Sequence, residues 1–205
     1  MTCVFDVWRL LPQRCALHVP TATVVFADVH LGYSAARQHL GDAIPYRSVR
    51  EEMQPLFDAV RSYDIRAAIV AGDLFEKGFD FLLYQQFVAV LQDLGVILQG
   101  VVPGNHDRGI EGFPQAKVFP AGYNLEGWHI VHGDQPIESP QAVSGHWHPA
   151  LRWRGRKAPC FLVKKSHLIL PAFSQDSAGV DVDRDARWHE YERFAIVGTE
   201  VIPTK

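Results

Sequence analysis

The chain has 205 residues, 47% of them apolar, and sets 20 Lys and Arg against 23 Asp and Glu for a net charge of −3. That length fits one domain over residues 1–205 better than two, and it can bury roughly 70% of its unfolded surface without covalent staples. The near-balance of charge excludes a global basic field, so any nucleic-acid contact has to be local or carried by metal.

No apolar run reaches 18 residues, which excludes a membrane-spanning helix. The cysteines, Cys3, Cys15 and Cys160, show no CxxC spacing and read as free thiols of a reducing compartment. The first residues place Asp6 early and have no basic start before an apolar block, unlike a secretory signal. The expectation is a cytoplasmic protein.

In chain order, residues 3–10 and 16–19 are short apolar stretches consistent with a hairpin at a sheet edge. Residues 22–27 form a continuous apolar run, the pattern of a buried strand, ending at Asp28. Residues 33–45 are polar and marked by Gly and Pro, a loop with some helix. Val49, Met53, Leu56, Phe57 and Val60 follow helical spacing over 46–63, with Pro55 placed to kink the helix or restart it. A second buried strand, Ala67 to Ala71, ends at Gly72-Asp73. Asp80 to Leu94 reads as a helix capped by Asp80, with Phe81, Tyr84, Phe87, Val88, Leu91 and Leu94 inward and Gly95 as its stop. A third strand, Val96 to Val102, leads into Gly104-Asn105-His106-Asp107. Beyond Arg108 short strands dominate: 129–132, 142–144, 150–154, 160–163 and 167–170. Residues 174–190 are acidic and irregular, and 194–202 close as a hairpin around Gly198-Thr199. The order is βαβαβ followed by a mostly β half.

Chemistry-bearing residues cluster at the ends of these strands. Asp28 and His30 lie two apart, so in an extended stretch a carboxylate and an imidazole point to one side. Gly72 permits close backbone approach, and Asp73 could bridge two cations. Asn105 offers a neutral carbonyl oxygen, and His106 can act as ligand or general acid. His132 is followed by Gly133-Asp134, and His146 and His148 share a face around Trp147. Each cluster alone has a bland reading as a turn or a hydrogen-bonded structural residue, which suffices for His18, His39, His129, His167 and His189. Together they form an oxygen- and nitrogen-rich set without thiolate, too large for one tetrahedral zinc and suited to two octahedral-leaning cations. Two metals about 4 Å apart clamp an in-line displacement at phosphorus.

The series Asp28-Val29-His30, Gly72-Asp73, Gly104-Asn105-His106-Asp107, His132 and Gly145-His146-Trp147-His148 resembles, in order, the motifs of the calcineurin-like metallophosphoesterases. Leu10-Leu11-Pro12, the stretch from Phe26 to Gly32, the stretch from Val143 to Pro149, and Leu170-Pro171-Ala172-Phe173 are similar to a subfamily that includes ligase-associated DNA-damage-response endonucleases. The resemblance implies an α/β (α+β) fold: a four-layer αββα sandwich of two mixed β-sheets flanked by helices. It implies two divalent ions, manganese first and iron, zinc or magnesium as alternatives. Asp28, His30, Asp73 and His148 would hold one ion, and Asp73, Asn105, His132 and His146 the other. A hydroxide shared by the ions would attack phosphorus, with His106 facing the leaving group and Arg108 reaching a phosphate oxygen. Glu76, three residues after Asp73, stands where some relatives carry an acid that orients the catalytic histidine. It is expected to accept a hydrogen bond from His106 and raise its pKa. The implied activity is phosphodiester hydrolysis on nucleotide or nucleic-acid substrates. A non-enzymatic interaction scaffold of the same fold and a phosphomonoesterase are the alternatives; Gly78 stands where protein-phosphatase relatives carry Arg. Nothing in the sequence marks an oligomeric state.

Overall fold

The computed structural model describes residues 3–204. The first sheet opens as an antiparallel meander of β1 (Cys3–Phe5), β2 (Trp8–Leu11), β3 (Cys15–His18) and β4 (Thr23–Phe26). It continues in parallel with β5 (Ala67–Ala71) and β6 (Ile97–Val102), so that strand order follows chain order. Helices α1 (Tyr33–His39), α2 (Val49–Glu52) and α3 (Gln54–Ser62) connect β4 to β5, and α4 (Phe81–Asp93) connects β5 to β6. These crossovers leave the ends of β4, β5 and β6 at one edge of the sheet, where ligands gather in open parallel sheets.

Alternation along β4 and β5 explains their unbroken apolar runs. Val24, Phe26, Ala68 and Val70 join the core under the helices, while Val25, Ala27, Ile69 and Ala71 face the second sheet. A strand covered on both faces has no polar side.

The second sheet holds β7 (Tyr123–Leu125), β8 (Trp128–Val131), β9 (Ala142–Ser144), β10 (Pro149–Trp153), β11 (Arg156–Lys164), β12 (His167–Ile169), β13 (Val180–Asp181), β14 (Glu192–Val197) and β15 (Glu200–Thr204). It is mixed: β9 runs parallel to β8 and β12, and β13 to β10, while the other pairs are antiparallel. Trp8 and Ile69 pack between the sheets with Trp128, Ile130 and Phe161, and Trp8 meets Trp128 edge to face at 5.7 Å. On the far side, Leu151, Cys160, Leu162, Ile169 and Ala195 are covered by Val182 and Trp188. The αββα layering is therefore present, its fourth layer being two 3-10 helices, Val182–Arg184 and Ala186–Trp188, within the segment that reads as irregular from sequence.

Several elements depart from expectation in detail. The N-terminal hairpin is a three-strand meander. The helix expected over 46–63 is two helices broken at Met53, with a Ser48–Glu51 capping box opening the first and Pro55 in the first turn of the second. Asp80 caps α4 through the Leu82 and Leu83 amides, but Phe81 lies 46% exposed and Val90 is buried in the helix–sheet core. The β7–β8 hairpin turns on Glu126 and Gly127, both with positive φ, as a two-residue primed turn needs. The cysteines are free and buried, and no described helix is long and apolar enough to cross a membrane.

Trp8 is fully buried between the sheets. Trp8→Ala is expected to lower the unfolding free energy by about 3–5 kcal/mol, read from urea melts at unchanged slope. A loss below 1 kcal/mol would mean that the inter-sheet core does not depend on it.

Candidate metal centre

Three loops rise from the parallel ends of the first sheet: Asp28 to His30 after β4, Gly72-Asp73 after β5, and Gly104 to Asp107 after β6. The second sheet brings His132 from the end of β8 and His146 and His148 from the turn between β9 and β10. Sequence separations of up to 120 residues close to atomic contact here because the sheets pack with these edges together.

Eight of the nine residues singled out from sequence form one closed ring of contacts, and Asn105 joins it at His132. His106 Nδ1 lies 2.8 Å from the Glu76 carbonyl oxygen. The Glu76 carboxylate lies 3.0 Å from His30 Nδ1. His30 meets His148 edge to face at 5.4 Å, and His148 Nε2 is 3.2 Å from Asp28 Oδ1. Both Asp28 oxygens accept the His146 amide, at 3.1 and 2.9 Å, which ties the two sheets together across the site. His146 Nδ1 is 3.2 Å from His132 Nε2, which is also 3.2 Å from Asn105 Oδ1 and 3.4 Å from Asp73 Oδ2. Asp73 Oδ1 accepts the His106 amide at 2.8 Å and completes the ring.

The chemistry of this set fits cations. Both ring nitrogens of His30 are buried and lack a hydrogen-bond partner, the Glu76 contact lying off the ring's N–H direction. An imidazole buried this way costs free energy unless a ligand takes its lone pair. Around His132 the case is sharper. In the neutral tautomer whose Nδ1–H faces the Ala71 carbonyl at 3.3 Å, the Nε2 lone pair is aimed at an amide oxygen, a second imidazole nitrogen and a carboxylate oxygen. Converging lone pairs repel one another, and a divalent ion among them reverses the sign. Ligand atoms of Asp28, His30 and His148, and separately of Asp28, Asp73 and His132, lie within 4.8 Å of one another, so Asp28 is the carboxylate common to both groups. The sequence reading gives that sharing role to Asp73.

Burial lowers the pKa of His146, reinforced by neighbouring His132, with Asp28, Asp134 and Asp73 opposing. Burial also works against charge on His148, but its bond to Asp28 and the Asp28 and Asp73 charges outweigh it and raise its pKa. Asp28, His30, Asp73 and His132 are buried, His106, His146 and His148 are half-buried, and Asn105 is exposed overall. One side of the cluster therefore faces solvent.

The backbone at these positions is unusual. Asp28, His30, Asp73, His146 and His148 all have φ between 44° and 69°, the left-handed region. Such conformations cost about 1–3 kcal/mol each and gather at functional sites. Gly104 is required by contact, since a Cβ there would overlap the Asp73 carboxylate and amide.

Glu76 requires a correction. Its carboxylate does not accept a hydrogen bond from His106; its backbone carbonyl does, and the carboxylate turns to His30. Burial pushes the Glu76 carboxyl up, but His30, His106 and Lys77 outweigh it and hold it below the usual range. Ligand atoms of His30, Glu76 and His106 still lie within 4.8 Å of one another. Arg108 is exposed and joins through its carbonyl, which accepts the Phe79 amide at 2.9 Å.

Two residues that shape the site carry no assigned role in the sequence reading. Asp107 is buried, and its oxygens accept the Phe75 and Gly104 amides, each at 2.9 Å, clamping the loop after β5 to the loop after β6. Burial pushes its pKa up against those amide bonds. Ser177 Oγ lies 3.0 Å from His148 Nδ1 and holds that ring in place. The carboxylate in the Gly-Asn-His-Asp tetrad is visible in the sequence; the acidic, irregular context of Ser177 gives no signal.

Comparison with known proteins bears on the fold. No family model matches the chain, and no curated protein matches it. Among solved structures, the crystal structure of Pseudomonas putida nuclease MPE is similar to this one, with a TM-score of 0.71 at 20% sequence identity, covering 100% of this chain and 99% of that one. At that identity the likeness establishes a shared two-sheet fold.

Excess Mn²⁺ is expected to raise the thermal midpoint of the native protein, a stabilisation of about 2.7 kcal/mol at a hundred times the dissociation constant. His30→Ala should hold fewer ions per chain by elemental analysis. Native protein that neither binds nor is stabilised by Mn, Fe, Zn or Mg would sink the metal assignment.

Proposed function

We propose that this protein is a dinuclear-metal phosphodiesterase acting on nucleic acid, in which Asp28, His30, Asp73, Asn105, His132, His146 and His148 hold the two ions. The observation that carries the reading is the division between neighbours Asn105 and His106. Asn105 turns its amide oxygen toward His132, inside the cluster. His106 is fixed through Nδ1 to a backbone carbonyl, and among the described residues its Nε2 has no protein partner. An imidazole held this way at the solvent side of a ligand cluster is placed to touch a substrate.

Two bound divalent ions would supply Lewis-acid charge for the phosphoryl oxygens and lower the pKa of water. The chain's own contribution lies in position. With Nδ1–H donating to the Glu76 carbonyl, His106 presents Nε2 outward, where its protonated form can donate to the departing ester oxygen. Its amide, donated to Asp73, couples that orientation to the ligand set. Asp107 keeps the two loops in register, and Glu76 sets a negative charge beside His30 and His106.

A nuclease of the same fold supports a nucleic-acid substrate, as does the resemblance of the motifs to DNA-damage-response endonucleases. Manganese is the metal the reading favours, and the free buried thiols suit a reducing, cytoplasmic setting.

His106→Ala should bind the same number of ions per chain while hydrolysing an aryl phosphodiester about 10²- to 10⁴-fold more slowly. An unchanged rate in that variant, with metal loaded, would remove His106 from the chemistry.

A further inference from the structure

Beside the cluster, on the His148 side, lies a cavity of about 360 Å³ walled by Arg14, His148, Lys157, Gln175 and Ser177. Arg14 comes from the turn between β2 and β3, at the same edge of the first sheet as the end of β4. Lys157 comes from β11 of the second sheet. Two cations from different sheets thus face one cavity that shares a wall with a proposed metal ligand.

Neither of them is paired with an acid among the described residues. Most arginines of this protein sit against an aspartate, among them Arg47 with Asp176 at 3.1 Å, Arg193 with Asp183 at 3.0 Å and Arg50 with Asp93 at 2.9 Å. The acidic segment is neutralised in the same way, Asp181 by Arg152 and Arg184 and Asp185 by Arg187. Arg14 is half-buried and makes no ion pair among the described residues; its Nη1 donates to the Ser174 carbonyl. Asp176, the acid whose charge it feels, is paired with Arg47. Lys157 is held by backbone carbonyls alone, Ala178 at 3.1 Å and Gly179 at 2.7 Å, and makes no ion pair among the described residues. A half-buried guanidinium fixed beside a cavity without a counter-charge of its own costs free energy unless an anion enters, and the exposed Lys157 adds positive charge at the same wall. Arg14 retains unused donors in the fork geometry that suits phosphate, and Lys157 retains one ammonium proton.

We propose that Arg14 and Lys157 form a second phosphate subsite, which takes the phosphate next to the scissile one in a nucleic-acid strand. The inference rests on the phosphodiesterase reading and narrows it. A strand whose scissile phosphate lies at the cations would run its neighbouring phosphate past His148 into this cavity. The site would favour a polynucleotide over any diester with a single phosphate. It also supplies local basic charge that the net charge of −3 conceals.

The test compares two substrates with metal-loaded native protein and with Arg14→Ala, Lys157→Gln and the double variant. One substrate is an aryl phosphodiester with a single phosphate; the other is a short single-stranded oligonucleotide. The double variant is expected to lose about 10- to 100-fold more kcat/KM on the oligonucleotide than on the aryl diester, as loss of charged hydrogen bonds implies. A neutral methylphosphonate at the phosphate beside the cleaved bond should impose a similar loss on the native protein and little further loss on the double variant. Equal losses on both substrates, or a methylphosphonate penalty undiminished in the double variant, would overturn the subsite and leave the phosphodiesterase reading standing. Native protein inactive on both substrates would overturn that reading itself. In that case, binding of the oligonucleotide by fluorescence anisotropy still decides the subsite: an affinity equal in native and double-variant protein overturns it.

Discussion

Two aspartates with almost no access to water, Asp28 and Asp73, sit among imidazoles at the ends of adjacent parallel strands. Buried carboxylates are expensive, and crowded lone pairs add to the expense. Here the backbone meets part of the demand, because Asp28 accepts the His146 amide and Asp73 the His106 amide. The oxygens and ring nitrogens still face one another, a crowding that positive charge among them would relieve. The parallel order of β4, β5 and β6 exists at the scale of a few ångströms to put three loops at one edge. The second sheet adds three imidazoles, His132, His146 and His148, to the His30 supplied by the first.

The two halves of the site are joined as well as juxtaposed. The Asp28–His146 bond runs from one sheet to the other, and Ala27 pairs with Ala172 just beneath it. The large apolar residues between the sheets, Trp8, Trp128 and Phe161, set the distance at which this edge can close. Core packing and site geometry are therefore one problem: a shift of one sheet against the other moves His132, His146 and His148 together relative to Asp28 and Asp73. The fixed position of His106 belongs to the first sheet alone, since Glu76 and Asp73 bond it from the loop after β5 and Asp107 clamps that loop to the one after β6.

Much of this was legible in the sequence, and the reason differs from part to part. Strands at 23–26 and 67–71 could be read because both faces are buried, which leaves an uninterrupted apolar run closed by a polar cluster. The polar cluster could be read because Asp, His and Asn gathered at successive strand ends have few structural reasons to recur. The partner of His106 could not be read, because a backbone carbonyl leaves no mark on the residue that carries it; Glu76 drew notice for a carboxylate that serves His30 instead. The turn at Glu126-Gly127 lacks the usual Asn or Asp before its glycine. The covering of the second sheet by Val182 and Trp188 has neither helical nor alternating period. Arg14 carries no mark in the sequence, because being unpaired is a property of the surroundings.

The left-handed backbone at Asp28, His30, Asp73, His146 and His148 bears on how such a site can change through descent. A β-branched side chain is poorly accommodated there, and most L-residues are disfavoured, whereas Gly, Asn, Asp and His are tolerated. The substitutions open to a lineage are thus filtered by main-chain geometry before chemistry has any say. A descendant that lost this cluster while keeping the fold would be steered toward glycine or asparagine at these five positions, leaving a scar in the sequence long after the side chains were gone.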